Sequence, residues 1–146
     1  MKKKAPFMIR QVVYLSTARN PGSYEDLASI LETARSKNGA MGVTGLLAHG
    51  GTLFLQILEG APEAIDALMA KISADARHRS VRVIQDVIVD ERSFAGTTMA
   101  ARSLDPDAAH LIAARARNGV LPALTIAAVL GDAGQAAFGA QVLKAA

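Results

Sequence analysis

Gln56 stands in the run Phe54-Leu55-Gln56-Ile57-Leu58, where every neighbour is apolar, and Tyr14 stands in Val12-Val13-Tyr14-Leu15-Ser16. An amide buried without a partner costs about 1–3 kcal/mol, so Gln56 needs a hydrogen-bonding neighbour, and a phenol on an adjacent strand supplies one. On spacing alone the pair reads first as a structural Tyr14–Gln56 hydrogen bond in a core. Asn38 precedes Gly39, the ordinary signature of a helix C-terminal cap. Lys71, Asp75, Arg77, His78 and Arg79 follow an apolar helical pattern, where cations complement the negative end of the helix dipole on a solvated face. Their functional alternative is that Lys71 and Arg77 hold an anionic group such as a ligand phosphate.

Other chemistries find no support. His49, His78 and His110 are scattered, with no pair at i, i+4 and no His/Asp cluster, so no metal site is expected. There is no cysteine, which excludes disulfides, thiolate metal sites and thiol nucleophiles. Ser16 has no G-x-S-x-G elbow around it and no histidine placed near it by the sequence. Gly42-Val43-Thr44-Gly45 lacks the spacing of a dinucleotide-binding turn.

The elements that must position these residues follow from periodicity. Residues 9–16, rich in Val and Tyr and stopped by Asn20-Pro21-Gly22, predict a first strand. Ser23, with Asp26 three residues on, opens a helix whose Leu27, Ile30, Leu31 and Ala34 share a face, and Asn38-Gly39 is expected to close it. Residues 43–48 and 53–58 flank His49-Gly50-Gly51-Thr52 as a hairpin. Pro62 opens a second helix through Ile65, Leu68, Met69 and Ile72. Val81, Val83, Val87 and Val89 alternate in a fourth strand, and residues 97–104 form a fifth.

This order predicts an α+β, ferredoxin-like βαββαβ core with a fifth strand. The first and third strands are expected side by side and parallel at the centre, with both helices on one face. Tyr14 and Gln56 then lie on neighbouring central strands and share a face. Strand three is apolar at both parities, so its other face needs cover as well. Residues 105–146 supply it, with helices expected at 106–117, 123–130 and 135–144. The chain divides into a core at 1–104 and a C-terminal helical extension at 105–146.

Composition narrows the classes further. The 146 residues, 51% hydrophobic and 20% charged, are those of a single globular domain. The net charge of +3 equals the contribution of Lys2, Lys3 and Lys4, leaving a neutral body, and aromatic residues are only 4%. Nucleic-acid binding through a basic, aromatic surface is therefore not expected. Residues 1–16 begin like a secretory signal, but Arg10 and Gln11 interrupt the apolar stretch. The longest apolar run, residues 120–130, is shorter than the roughly 20 residues that span a bilayer. A cytoplasmic protein without membrane contact is expected.

Taken together, VVYLS at 12–16, KNGAMGVTGLL at 37–47, FLQILEG at 54–60, ISADARHRSV at 72–81 and RSFAGTTM at 92–99 resemble the BLUF family of blue-light sensors using flavin. The resemblance runs over roughly residues 8–104 and keeps the spacing among its segments. It implies FAD held between the two helices, with the ring reached by Tyr14, Asn38 and Gln56. It also implies that Lys71, Asp75, Arg77 and His78 contact or shape the pocket, Lys71 standing where related proteins often carry Arg. Met99 occupies the family's methionine position, and Thr97 stands where many members have Trp. In the implied mechanism Tyr14 gives up an electron and a proton to excited flavin. Gln56 then exchanges donor for acceptor by rotating or tautomerising. The implied product is a photoreceptor and not an enzyme, with output through self-association or an unidentified downstream protein. The alternative from the residues is a photochemically inactive ferredoxin-like module for oligomerisation or ligand binding.

Overall fold

A computed structural model describes residues 8–117. Its elements are β1 (Ile9–Ala18), α1 (Tyr24–Met41), β2 (Thr44–Gly50), β3 (Leu53–Gly60), α2 (Pro62–Ala74), β4 (His78–Val89), β5 (Ala100–Ser103) and α3 (Pro106–Arg117). The five strands form one sheet in the order β4-β1-β3-β2-β5. This is the α+β, ferredoxin-like arrangement with a fifth strand added beside β2. The helices expected at 123–130 and 135–144 lie outside the described residues.

The central pairing corrects one expectation: β1 and β3 are neighbours but run antiparallel, from Arg10 opposite Gly60 to Thr17 opposite Leu53. The cause is local. Only Gly51 and Thr52 separate β2 from β3, and Gly51 takes a φ of 54°, so the chain must reverse there. The α1 crossover leaves β2 parallel to β1, and β3 between them opposes both. The parallel contact of the sheet is β2 with β5, Leu46 opposite Ala100.

Alternation then sorts the core into two layers. Val12, Tyr14, Phe54 and Leu58 face the helices and pack with Ile65, Leu68 and the α1 residues Leu27, Ile30 and Leu31. Val13, Leu15, Leu55 and Ile57 face the other way, under Phe94, Leu104 and Ala109 of α3. All eight residues of β3 are buried, as its double apolar parity requires. At about 1.5–3 kcal/mol for each fully buried large aliphatic side chain, this strand is the energetic centre of the fold.

Helix ends decide where the polar residues fall. The Ser23 side chain accepts from the Asp26 N–H at 3.1 Å, capping α1 as its sequence predicts. The other end departs from expectation, because α1 runs past Asn38-Gly39 to Met41. Gly42, at φ 70°, makes the turn. Its N–H donates to Gly39 O at 3.3 Å and the Val43 N–H donates to Asn38 O at 2.8 Å, the paired pattern of a Schellman motif. Asn38 therefore sits inside the last turn with its side chain free for another task. Similarly, β4 begins at His78, so His78 and Arg79 belong to the sheet and not to the end of α2. β4 also loses register with β1 between Val13 and Tyr14 and between Leu15 and Thr17, and Ser80 takes a φ of 57° in the second break.

Candidate functional site

The antiparallel register puts Tyr14 directly opposite Gln56, and the Tyr14 hydroxyl donates to Gln56 Oε1. The other end of the same amide, Nε2, donates to the Met99 sulfur at 3.4 Å. Tyr14, Gln56 and Met99 are each at most 4% exposed. Three residues far apart in sequence thus form one buried chain in which a single amide joins a phenol to a thioether. Burial pushes the Tyr14 phenol far above its usual pKa, and the Asp75 carboxylate adds to the rise. Tyr14 consequently keeps its proton, held on the hydrogen bond to Gln56.

Tyr14 and Gln56 line a cavity of about 370 Å³ between α1, α2 and the sheet, a size typical of small-molecule sites. All seven residues predicted to surround a cofactor line it: Tyr14, Asn38, Gln56, Lys71, Asp75, Arg77 and His78. Met99 lies behind the wall, joined through Gln56. Asn38 is 1% exposed, and neither its Oδ1 nor its Nδ2 meets a hydrogen-bond partner among the described residues. An amide so placed forgoes about 1–3 kcal/mol per orphaned group. Its donor and acceptor point to a ligand edge that offers an acceptor and a donor in return, as the imide edge of a flavin ring does. The residues present fit that group.

The cationic end of the cavity is more constrained than the sequence indicates. Arg77 reaches Asp75 through Nε at 2.9 Å and Nη2 at 2.5 Å, and donates through Nη1 to Ser29 Oγ of α1 at 2.7 Å. The side-chain hydrogen bond from Arg77 holds the Asp75 carboxyl below the ordinary carboxylate range. Arg77 is therefore a clamp between α1 and the start of β4, with its charge already matched, while Lys71 stays exposed at the rim.

His78 packs edge-on to the Tyr14 and Phe54 rings, with centroids 6.2 and 6.4 Å away. Its Nε2 lies 2.7 Å from Ile72 O, which only accepts, so Nε2 carries a proton. Nδ1 lies 2.7 Å from Ser16 Oγ and, in the neutral ring, accepts from it. The sequence places no histidine near Ser16, but the fold does. Both ring nitrogens are thereby engaged, and the His78 ring forms part of the cavity wall.

Lys37 and Thr33 also line the cavity and escape the sequence reading. Helical spacing contains them: Thr33, Lys37 and Met41 form one i, i+4 row beside the row Ile30, Ala34 and Asn38. Among the described residues no group of three or more His, Cys, Asp or Glu is placed to hold a metal, and no helix is long and apolar enough to cross a membrane.

Comparison with known proteins converges on one family. The sequence-family model BLUF, described as sensors of blue-light using FAD, matches residues 9–100. The chain is 36% identical over 83 residues to the photoactivated adenylate cyclase subunit beta of Euglena gracilis, covering 57% of this chain and 10% of that protein. It thus spans about a tenth of that relative's length. Among solved structures it resembles Klebsiella pneumoniae BlrP1 with FMN and cyclic diGMP, at 37% identity and a TM-score of 0.60, over 67% of this chain and 26% of that one. The dark-state structure of BlrB, a BLUF protein, aligns over 95% of this chain and 98% of that one with a TM-score of 0.66 at 24% identity, which shows the shared fold.

Proposed function

The chain belongs to the BLUF family of blue-light sensors, and from that membership we propose that it binds FAD between α1 and α2 and reports blue light by reversing the hydrogen bonds of Gln56. The observation that carries this reading is the Gln56 amide held between the Tyr14 hydroxyl and the Met99 sulfur at the cavity wall. The orphaned Asn38 amide supports the same ligand edge.

When bound, flavin supplies the blue-light chromophore and, once excited, a strong one-electron oxidant. The chain's own residues do the rest. Tyr14 is the oxidisable side chain in contact with Gln56, and its proton lies on the bond to Oε1. Loss of an electron makes the phenol a strong acid, and Gln56 Oε1 is the atom positioned to receive that proton. If Nε2 then gives up a proton, that proton and the electron return to Tyr14 and leave the amide as its imidic tautomer; if the amide instead rotates, the Oε1 proton and the electron return to Tyr14 and leave it neutral, and in either case its donor and acceptor ends are exchanged. Met99 then loses the Nε2–H that it now accepts. Because the pocket is desolvated, each arrangement is held firmly, and a difference of a few kcal/mol between them sets the population.

The output is a change in protein contacts and not turnover. Residues 1–104 act as the sensory core, and residues 105–146, whose Ala109 packs with the far core layer, carry the signal to a second copy of the chain or to a downstream protein. Absorption spectra of FAD-loaded protein before and after blue light test the reading. A reversible red shift is expected in the parent and none in Gln56→Leu. A protein that takes up no flavin, or a Gln56→Leu variant with a normal red shift, overturns it.

A further inference from the structure

Glu59 is the one carboxylate of β3, and it is 0% exposed on the sheet face opposite the cavity. Its environment is built to hold it. Oε2 accepts from the Ser93 N–H at 2.7 Å and from Gln11 Nε2 at 3.1 Å. Oε1 accepts from the Phe94 N–H at 2.9 Å and from Thr44 Oγ1 at 3.2 Å. Arg92 Nη1 donates to Glu59 O at 3.0 Å and to Thr44 Oγ1 at 2.9 Å. Gln85 Nε2 completes the line by donating to Gln11 Oε1 at 2.6 Å. A carboxylate that gathers two successive backbone N–H groups fixes that backbone more tightly than a side-chain contact does.

The backbone so fixed is the connection from β4 to β5, and that connection also carries Met99. Strand β3 carries both ends of the relationship: Gln56, which holds Met99 on the cavity face, and Glu59, which holds Ser93 and Phe94 on the opposite face. Between the two attachments lie Gly96, at φ 82°, and Thr97, whose N–H donates to Phe94 O and whose O accepts from Gly45 N, both at 3.1 Å. The Phe94 side chain is itself set into the far core layer. The connection is therefore anchored at 92–94 and has its one left-handed joint immediately after.

Resting on the light-sensing function proposed above, we infer that Glu59 is a positioning residue for the switch. It pins residues 92–94 so that release of Met99 by Gln56 turns only the segment 95–99 and passes into β5, without spreading back toward β4. Glu59 touches neither the cavity nor Gln56.

The test is Glu59→Gln in the FAD-loaded full chain. Gln keeps the shape but replaces one acceptor oxygen with an NH₂, which leaves one of the two backbone N–H groups without its acceptor. The red shift should still form. Dark recovery should accelerate by about tenfold, the rate equivalent of one lost buried hydrogen bond. The light-minus-dark difference in hydrogen exchange, expected at 95–103 in the parent, should extend back through 90–94. Should Glu59→Gln fail to fold, Thr44→Val removes one donor to Glu59 and an acceptor of Arg92 while keeping the carboxylate, and should move recovery and exchange in the same direction. A variant that loses only thermal stability, with recovery and the exchange difference unchanged, overturns the inference alone. Absence of the red shift in the parent overturns the function and the inference together.

Discussion

Asn38→Ala should move flavin binding and the stability of the flavin-free protein in opposite directions. In the flavin-free chain the variant removes two buried amide atoms that lack partners, each worth about 1–3 kcal/mol of desolvation. It also gains roughly 0.5 kcal/mol of helix propensity inside α1. Against this stand the lost contacts of a small side chain, about 1.5 kcal/mol, leaving a net gain of at least about 1 kcal/mol. The backbone bond from Val43 to Asn38 O is untouched. With flavin the sign reverses. Two hydrogen bonds to the ring edge are lost and the ring's own polar groups are left buried, for about 2–3 kcal/mol, or roughly a 30- to 150-fold weaker Kd. Thermal unfolding with and without FAD reads both effects at once. At a flavin concentration of about 100 times the parent Kd, the parent gains about 2.7 kcal/mol, while a variant weakened about 100-fold gains only about 0.4 kcal/mol. A flavin-free variant less stable than the parent, with the full flavin-induced gain retained, would refute the reasoning and make Asn38 a structural residue.

Tyr14→Phe should keep flavin and fold but lose the red shift. Because Gln56 Oε1 is left without its donor, stability should also fall by about 1–3 kcal/mol; an unchanged photocycle would exclude Tyr14. Gly45→Ala places a methyl against the Ile57 carbonyl oxygen across the β2–β3 pair, and overpacking of this kind costs about 1–3 kcal/mol, measurable by denaturant unfolding. Asp75 and Asp86 are both held below the ordinary carboxylate range, chiefly by hydrogen bonds from Arg77 and Arg10. Their contribution to stability is complete above roughly pH 4 and is lost as pH falls through the lowered folded values. Arg10→Gln, which removes the partner of Asp86, should shallow that acid limb in pH-dependent unfolding.

Periodicity carried most of the fold. The capping serine at 23, the proline at 62 and the double apolar parity of residues 53–58 each describe what the structure contains, because they express local geometry. Tyr14 and Gln56 are legible as a pair once alternation within each strand is combined with the adjacency of the first and third strands that the element order predicts. What was not legible required knowledge of the partner strand or the next turn. Asn38-Gly39 has the form of a cap, but a stronger stop, Gly42 in the left-handed conformation, stands three residues on and draws the helix past it. The direction of β3 follows from a hairpin whose consequence for β1 is topological. The Ser16–His78 contact depends on β4 starting at His78. Glu59 is not legible as a buried anchor because Glu-Gly after an apolar run reads as an exit from a strand, whereas the carboxylate is satisfied by a loop more than thirty residues later.

The irregular pairing of β4 bears on how the protein behaves at high concentration. β4 is twelve residues long and ends the sheet on one side, and Val83, Val87 and Ile88 are 42–54% exposed along it. A straight strand of that composition is a template for edge-to-edge stacking. The two breaks in register and the left-handed Ser80 bend and twist the edge, so that the N–H and C=O groups turned away from β1 do not form an uninterrupted row. Arg79 and Arg82, both on β4, add like charge to any attempted symmetric pairing. The irregular register that runs beside the cavity-lining His78 therefore also works against strand addition along this edge.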